Sequence, residues 1–232
     1  GVASVIAITS LGAGMQQSLE SQMSGLGSDL LTITPGYSKG GSMFRNRGGD
    51  SGSSTATEEE ILLDRTDVQA LKGISDIAFI ETEVGGKVDV SFLGKMGSVS
   101  LTGVDQKVWS DVTTAVIAEG RLLDSADQNV VVIGGNLASS FFDQPLGINK
   151  MFTIEGSAFR VVGVLDDTST RIYMPIQMTY QLLEDKDTDI YDSIILKVKD
   201  EEMLDETILK IEKKLKISRH VTDKDRDFSI SS

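Results

Sequence analysis

DSIILKV (Asp192–Val198), then DEEMLDETILKIEKKLK (Asp200–Lys216), then DFSIS (Asp227–Ser231) form one readable unit. The first run is a short apolar strand. In the second, Leu204, Ile208, Ile211 and Leu215 recur at spacings of four, three and four, which lines one face of a helix. Asp200 stands at its start as a cap, with Glu201, Glu202 and Asp205 early and Lys210, Lys213, Lys214 and Lys216 late. That order complements the helix dipole. The third run alternates as a strand does. Asp29–Val84 repeats the order strand, loop, helix, strand. DLLTIT (29–34) is its first strand, stopped by Pro35-Gly36, and a helix runs from about Thr66 to Lys72, with Thr66 or Asp67 as cap and Gly73 at its end. The two stretches predict two similar βαβ halves.

Between the halves the pattern changes. IAFIETEV, KVDVSF and SVSLTGV alternate with period two and read as short strands separated by Gly85-Gly86 and Gly94-Lys95. Asp105 to Val112 is a predicted short helix carrying the sole tryptophan, Trp109. NVVVI (129–133) has the continuous apolar character of a strand buried on both faces. Asn136–Phe142 reads as a helix. Met151–Glu155 and Phe159–Leu165 read as strands joined at Gly156-Ser157, and Arg171–Met174 as another. Pro175 then opens a helix with Ile176, Tyr180 and Leu183 on one side.

The beginning of the chain is of another kind. Gly1 to Leu19 carries no charge, and Val2 to Met15 is mostly apolar. Gln16, Gln17 and Ser18 follow, so the apolar run is shorter than the about 20 residues a bilayer crossing needs. It is read as the outer end of a transmembrane helix. The first basic residue is Lys39, in keeping with positive charge remaining on the cytoplasmic side. Met15, Leu19, Met23 and Leu26 continue the helix as a packing stripe. Residues 36–57 hold six Gly and five Ser between Gly36 and Ser54 and are expected to form a mobile loop.

Composition narrows the chemistry. With 22 Lys+Arg against 35 Asp+Glu, the 232-residue chain carries a formal charge of −13. Phosphate binding needs clustered cations, so nucleic acid is not an expected partner. No cysteine is present, which removes disulfides, thiolate zinc sites and cysteine nucleophiles together. No phosphate-loop, dinucleotide-binding or nucleophile-elbow motif occurs, since Gly86-Lys87 is followed by Val88 and Gly94-Lys95 by Met96. His220 is the only histidine, so zinc-protease pairs and serine triads lack their parts. Asp185, Asp187 and Asp189 open with calcium-loop spacing, but Ile190 and Leu196 occupy the positions that need Gly and Glu. Asp223, Asp225 and Asp227 fail likewise at Phe228. No catalytic residue, cofactor or metal ligand is nominated.

The order of motifs resembles the extracytoplasmic core domain of MacB-type ABC transporter permeases, a group that includes FtsX-like and LolC/LolE-like proteins. The resemblance runs from GVASVIAITSLGAGMQQSLESQMSGLGSDLLTITPG through LTGVDQ, EGRLLDSADQNVVVIGGNLASSFF, PLGINKMFTIEGSAFRVVGVLDD and IYMPIQMTYQLL. It ends on the pairing of SRH (218–220) with DFSI (227–230). It implies an α+β fold: a porter-like subdomain of two βαβ units (residues 1–90 and 188–232) and an inserted smaller α/β "sabre" subdomain (91–187). Residues 1–26 would be a stalk helix continuing from the first transmembrane helix, with Met15, Leu19 and Met23 packing on the second. The implied role is non-catalytic: transmission of ATP-driven motion to drive export or extraction. The implied partners are an ABC ATPase subunit or domain, a second permease copy, a periplasmic adaptor, and the membrane through flanking helices, with no cofactor in this chain. A membrane-tethered binding module and a membrane-anchored hydrolase are the competing readings.

Overall fold

The stripe from Leu204 to Leu215 has a partner surface in the computed structural model, which describes residues 29–36, 62–223 and 226–232. The first elements are strand β1 (Leu30–Pro35), strand β2 (Leu63–Asp64), helix α1 (Arg65–Lys72), strands β3 (Ile77–Phe92) and β4 (Lys95–Val104), and helix α2 (Trp109–Val112). Strands β5 (Ile117–Gly120), β6 (Val130–Ile133), β7 (Met151–Ile154), β8 (Ser157–Leu165) and β9 (Ile172–Pro175) follow, then helix α3 (Ile176–Leu182). The chain closes with β10 (Ile190–Tyr191), β11 (Ser193–Val198), helix α4 (Leu204–Ser218) and β12 (Phe228–Ser231). The fold is α+β.

Four strands lie in the order β12-β1-β11-β3, every neighbour antiparallel. Each predicted βαβ half is therefore split. Its two strands run parallel, but a strand of the other half lies between them, as in ferredoxin-like sheets. Leu31, Ile33, Ile194, Leu196 and Phe228 point to one face, where α1 and α4 cover them with Leu71, Ile211 and Leu215. All eight are fully buried. The alternate residues Thr32, Ile195 and Ser231 make the opposite face, which the helices leave open.

The inserted segment closes on itself. Strand β3 pairs with β4, β4 with β9, β9 with β6, β6 with β8, β8 with β7, and β7 returns to β3. The result is a six-stranded barrel. Its interior holds Val88, Val90, Phe92, Val99, Leu101, Val131, Ile133, Phe152, Phe159, Val161, Ile172 and Met174. Closure removes the unpaired edges that a small open sheet would expose. A short π-helical turn, Leu137–Phe141, stands where a helix over Asn136–Phe142 is expected. With it, Leu137, Phe142 and Leu146 join the barrel core.

One prediction fails in an informative way. Gly85-Gly86 does not separate two strands; β3 continues through it for 16 residues. Glycine pairs usually mark turns, but here a Cβ on Gly86 would lie 3.0 Å from Leu183 Cδ1, so the missing side chain admits Leu183 after α3. The real turns are Leu93-Gly94 (φ 49° and 83°) and Glu155-Gly156 (φ 49° and 79°), two-residue connections whose left-handed backbone matches the strand twist. The boundary expected at 90/91 falls inside β3, where Val88 and Val90 already belong to the barrel core. The stalk helix over 1–26 and all of the loop over 36–57 except Gly36 lie outside the described residues.

Candidate functional site

β3 is the element that joins the two units. Ile77 to Glu83 pair with β11 on one edge, and Glu83 to Phe92 pair with β4 on the other. Glu83 alone belongs to both ladders, opposite Ser193 and Val104. At ~3.3 Å per residue the strand reaches about 50 Å. Its start lies level with the start of β1 and the end of β12, because Ile77 pairs with Val198, Leu30 with Lys197 and Ser231 with Thr32. Its far end is the Leu93-Gly94 turn at the barrel tip. There Leu93 and Met96 are 68% and 72% exposed, and Met151 beside them is 50% exposed.

Two supports fix the junction. Helix α3 presses on β4 at Gly103, where a Cβ would sit 2.3 Å from Thr179 Oγ1. Segment 105–127 wedges between the barrel wall and the open face of the four-stranded sheet. Trp109 stacks on Tyr173 with ring centroids 5.0 Å apart, and Lys197 Nζ donates to the Asp111 carbonyl at 3.1 Å. A cleft of about 410 Å³ remains beside the wedge, lined by Leu30, Thr32, Glu83, Trp109, Arg171 and Tyr173 among others. Glu81 lies fully buried at this junction, and its Oε1 accepts the Asp105 N–H at 3.1 Å. Burial, then the neighbouring Glu83 charge, pushes the Glu81 carboxyl well above the ordinary glutamate value. Burial also raises Glu83, opposed by its interaction with the Glu81 carboxyl and by the Arg171 charge. Sequence reading did not nominate this pair. The available signal was the i, i+2 spacing of Glu81 and Glu83 in a strand, which puts both on one face.

The pairing of SRH with DFSI has a physical basis. Arg219 Nε and Nη2 donate to the two Asp227 carboxylate oxygens at 2.8 and 2.9 Å, while Nη1 donates to Asp67 Oδ2 at 2.7 Å. One guanidinium thus ties the end of α4 to the approach of β12 and the first turn of α1. Hydrogen bonds to Asp227, and then to Asp67, raise the Arg219 pKa against the cost of burial. Burial raises Asp67, opposed by the Asp64 N–H and by Arg219. The cap of α1 is Asp64, in a capping box with Asp67, and not Thr66 or Asp67 as expected. His220 is exposed and left-handed (φ 55°). Its N–H meets the Ile217 carbonyl and the Val221 N–H meets Lys216, closing α4 as a Schellman motif.

Met15, Leu19 and Met23, the residues nominated for helix packing, lie outside the described residues. Asp185, Asp187 and Asp189 are exposed, and among the described residues no group of three or more His, Cys, Asp or Glu side chains could hold a metal. Also among them, no helix is long and apolar enough to cross a membrane.

Known proteins share this architecture. The crystal structure of the periplasmic region of MacB from Actinobacillus actinomycetemcomitans superposes with a TM-score of 0.70 at 21% identity, covering 90% of this chain and 91% of that one. The extracellular domain of the noncanonic ABC-type transporter YknZ from Gram-positive bacteria gives 0.65 at 14% identity, covering 88% of this chain and 100% of that one. Both are likenesses of fold. In sequence, the macrolide export ATP-binding/permease protein MacB of Bdellovibrio bacteriovorus is 28% identical over 189 residues, 76% of this chain and 27% of that protein. Its counterpart in Chlorobaculum tepidum is 29% identical over 189 residues, again 76% and 27%. An uncharacterized ABC transporter permease of Methanocaldococcus jannaschii is 27% identical over 169 residues, 71% and 38%. The chain spans about a quarter of the length of the two MacB proteins. The family model for the MacB-like periplasmic core domain matches residues 1–214, and the chain belongs to that family.

Proposed function

We propose that this domain is the extracytoplasmic, non-catalytic part of an ABC transporter permease, and that it transmits ATP-driven motion from membrane helices to a partner or cargo. The observation that carries the reading is β3. It runs without a break from the level where β1 begins and β12 ends to the barrel tip, so a displacement applied at the first reaches the second through one hydrogen-bonded strand. The work needs stiffness and two attachment ends, and no reactive group. ATP hydrolysis belongs to an ATPase subunit or domain outside these residues, and the working unit is a permease dimer. The exposed Leu93, Met96 and Met151 at the tip suit contact with a periplasmic adaptor. Met15, Leu19 and Met23 are proposed to pack the stalk helix on the second transmembrane helix.

The test uses the whole transporter in membranes. A Leu19→Asp, Met23→Asp double variant is expected to keep ATP turnover and lose transport. Normal transport by that variant overturns the reading.

A further inference from the structure

Among the described residues, Glu81 Oε2 is the buried side-chain polar atom that no donor reaches. Leaving such an atom unsatisfied is costly. Its residue is fully buried, and the one N–H supplied to it, from Asp105, goes to the other oxygen. The group that Glu81 meets is the Glu83 carboxyl, two residues on along the same face of β3. Two carboxyl groups can hydrogen-bond only if one of them carries a proton. We propose that Glu81 and Glu83 form a binding site for a single proton, which locks the wedge of residues 105–127 to the strand joining the two units.

The surroundings decide which carboxyl holds it. Glu83 lines the cleft with Arg171, whose positive charge favours the ionised form there. Glu81 sits next to Asp105, a second negative charge that raises it further. Across the ladder, β11 offers Ile195 and Ser193 opposite Glu81 and Glu83. The charged residue of β11 on that face, Lys197, is engaged by Asp29 and the Asp111 carbonyl. From β1 the cleft is lined by Leu30 and Thr32 and from α2 by Trp109 and Val112, so no further cation lines it from those elements. The proton therefore resides on Glu81, and the Glu83 carboxylate accepts it. The backbone of the wedge is held at the same place, since the Asp105 N–H lies within reach of both Glu81 Oε1 and the Thr82 carbonyl. Loss of the proton puts two like charges on one strand face under the wedge.

The sign follows from linkage. The native chain holds a proton that the unfolded chain releases above the ordinary glutamate value of 4.5. Stability is fully present below that value and falls as pH rises toward the folded-state value. Within the window the folding equilibrium constant drops by up to tenfold per pH unit.

The experiment is urea unfolding of the 232-residue chain as a function of pH, for wild type, Glu81→Gln and Glu83→Gln, alongside infrared spectra of the native state. Glu81→Gln replaces the protonated acid by a neutral amide donor, so it is expected to fold and to flatten the decline above pH 4.5. Its infrared spectrum should lose a protonated-carboxyl band that the wild type shows as pH rises past 4.5. Glu83→Gln removes the acceptor charge and should make the decline end at a lower pH and be smaller. Parallel pH profiles for wild type and Glu81→Gln, or no protonated-carboxyl band in wild type, overturn the proposal. So does stabilisation of wild type by calcium chloride at fixed pH that Glu81→Gln abolishes, because the site would then take a metal cation in place of a proton.

Discussion

Arg219 holds Asp227 in a two-point grip, Nε to Oδ1 at 2.8 Å and Nη2 to Oδ2 at 2.9 Å, while its remaining terminal nitrogen reaches Asp67. The three side chains are 12%, 23% and 2% exposed, so the cluster is largely shielded from water. Removing one member of a buried ion cluster leaves uncompensated charge. Arg219→Ala is expected to destabilise the domain by about 3 kcal/mol, measured as a fall in the urea midpoint. Arg219→Lys should recover less than half of the loss, because an ammonium cannot reproduce the fork. Wild-type stability in Arg219→Ala would show that the cluster contributes nothing net.

His220 occupies the left-handed position after α4, which glycine accepts without steric cost. Its side chain is exposed, so truncation removes little packing. His220→Gly is expected to stabilise the domain by about 1 kcal/mol, read as a higher thermal midpoint. A lower midpoint would mean that the imidazole makes a contact worth more than the backbone strain it brings.

Acid should weaken the fold through Asp127. Paired hydrogen bonds from Arg121 at 2.7 and 3.0 Å are the main cause holding its carboxyl below the ordinary 3.8, with the Asp124 N–H adding to them. A depressed carboxylate contributes stability that is present above the unfolded value and lost as pH falls through the folded one. Asp127→Asn is therefore expected to be less stable than wild type at pH 7 and to lose less on acidification below 3.8. Urea midpoints collected between pH 7 and pH 2 check both halves. An unchanged acid slope would remove Asp127 from the account.

Local order was legible where one face of an element is apolar and the other is not. The stripe of α4, the Asp200 turn before it, and the strands at 30–35, 193–198 and 228–231 follow directly from spacing and capping. NVVVI is buried between two neighbours because it sits in the barrel wall, flanked by β8 and β9. Closure of the barrel was not legible. It depends on the two-residue pairing of Val90 and Ser91 with Ile154 and Thr153, a contact between segments more than sixty residues apart. Gly85-Gly86 misled because local propensity favours a turn there, and the reason for glycine, the approach of Leu183, comes from a distant part of the chain. Glu81 and Glu83 were not nominated, because nothing near them in sequence announces that segment 105–127 will cover them. The SRH and DFSI motifs were visible as text, but Asp67, the third member of their cluster, lies about 150 residues earlier.

The overlap of two ladders on opposite edges of one strand has a mechanical meaning. Tension drawn between the chain ends and the barrel tip passes into the backbone from β11 and out of it to β4, parallel to the strands. Such a lap joint is loaded in shear, so its cross-strand bonds strain together, whereas a peeled edge breaks them one at a time. Load passes from one ladder to the other at Glu83, the single residue common to both overlaps, with the wedge of residues 105–127 bridging the same seam.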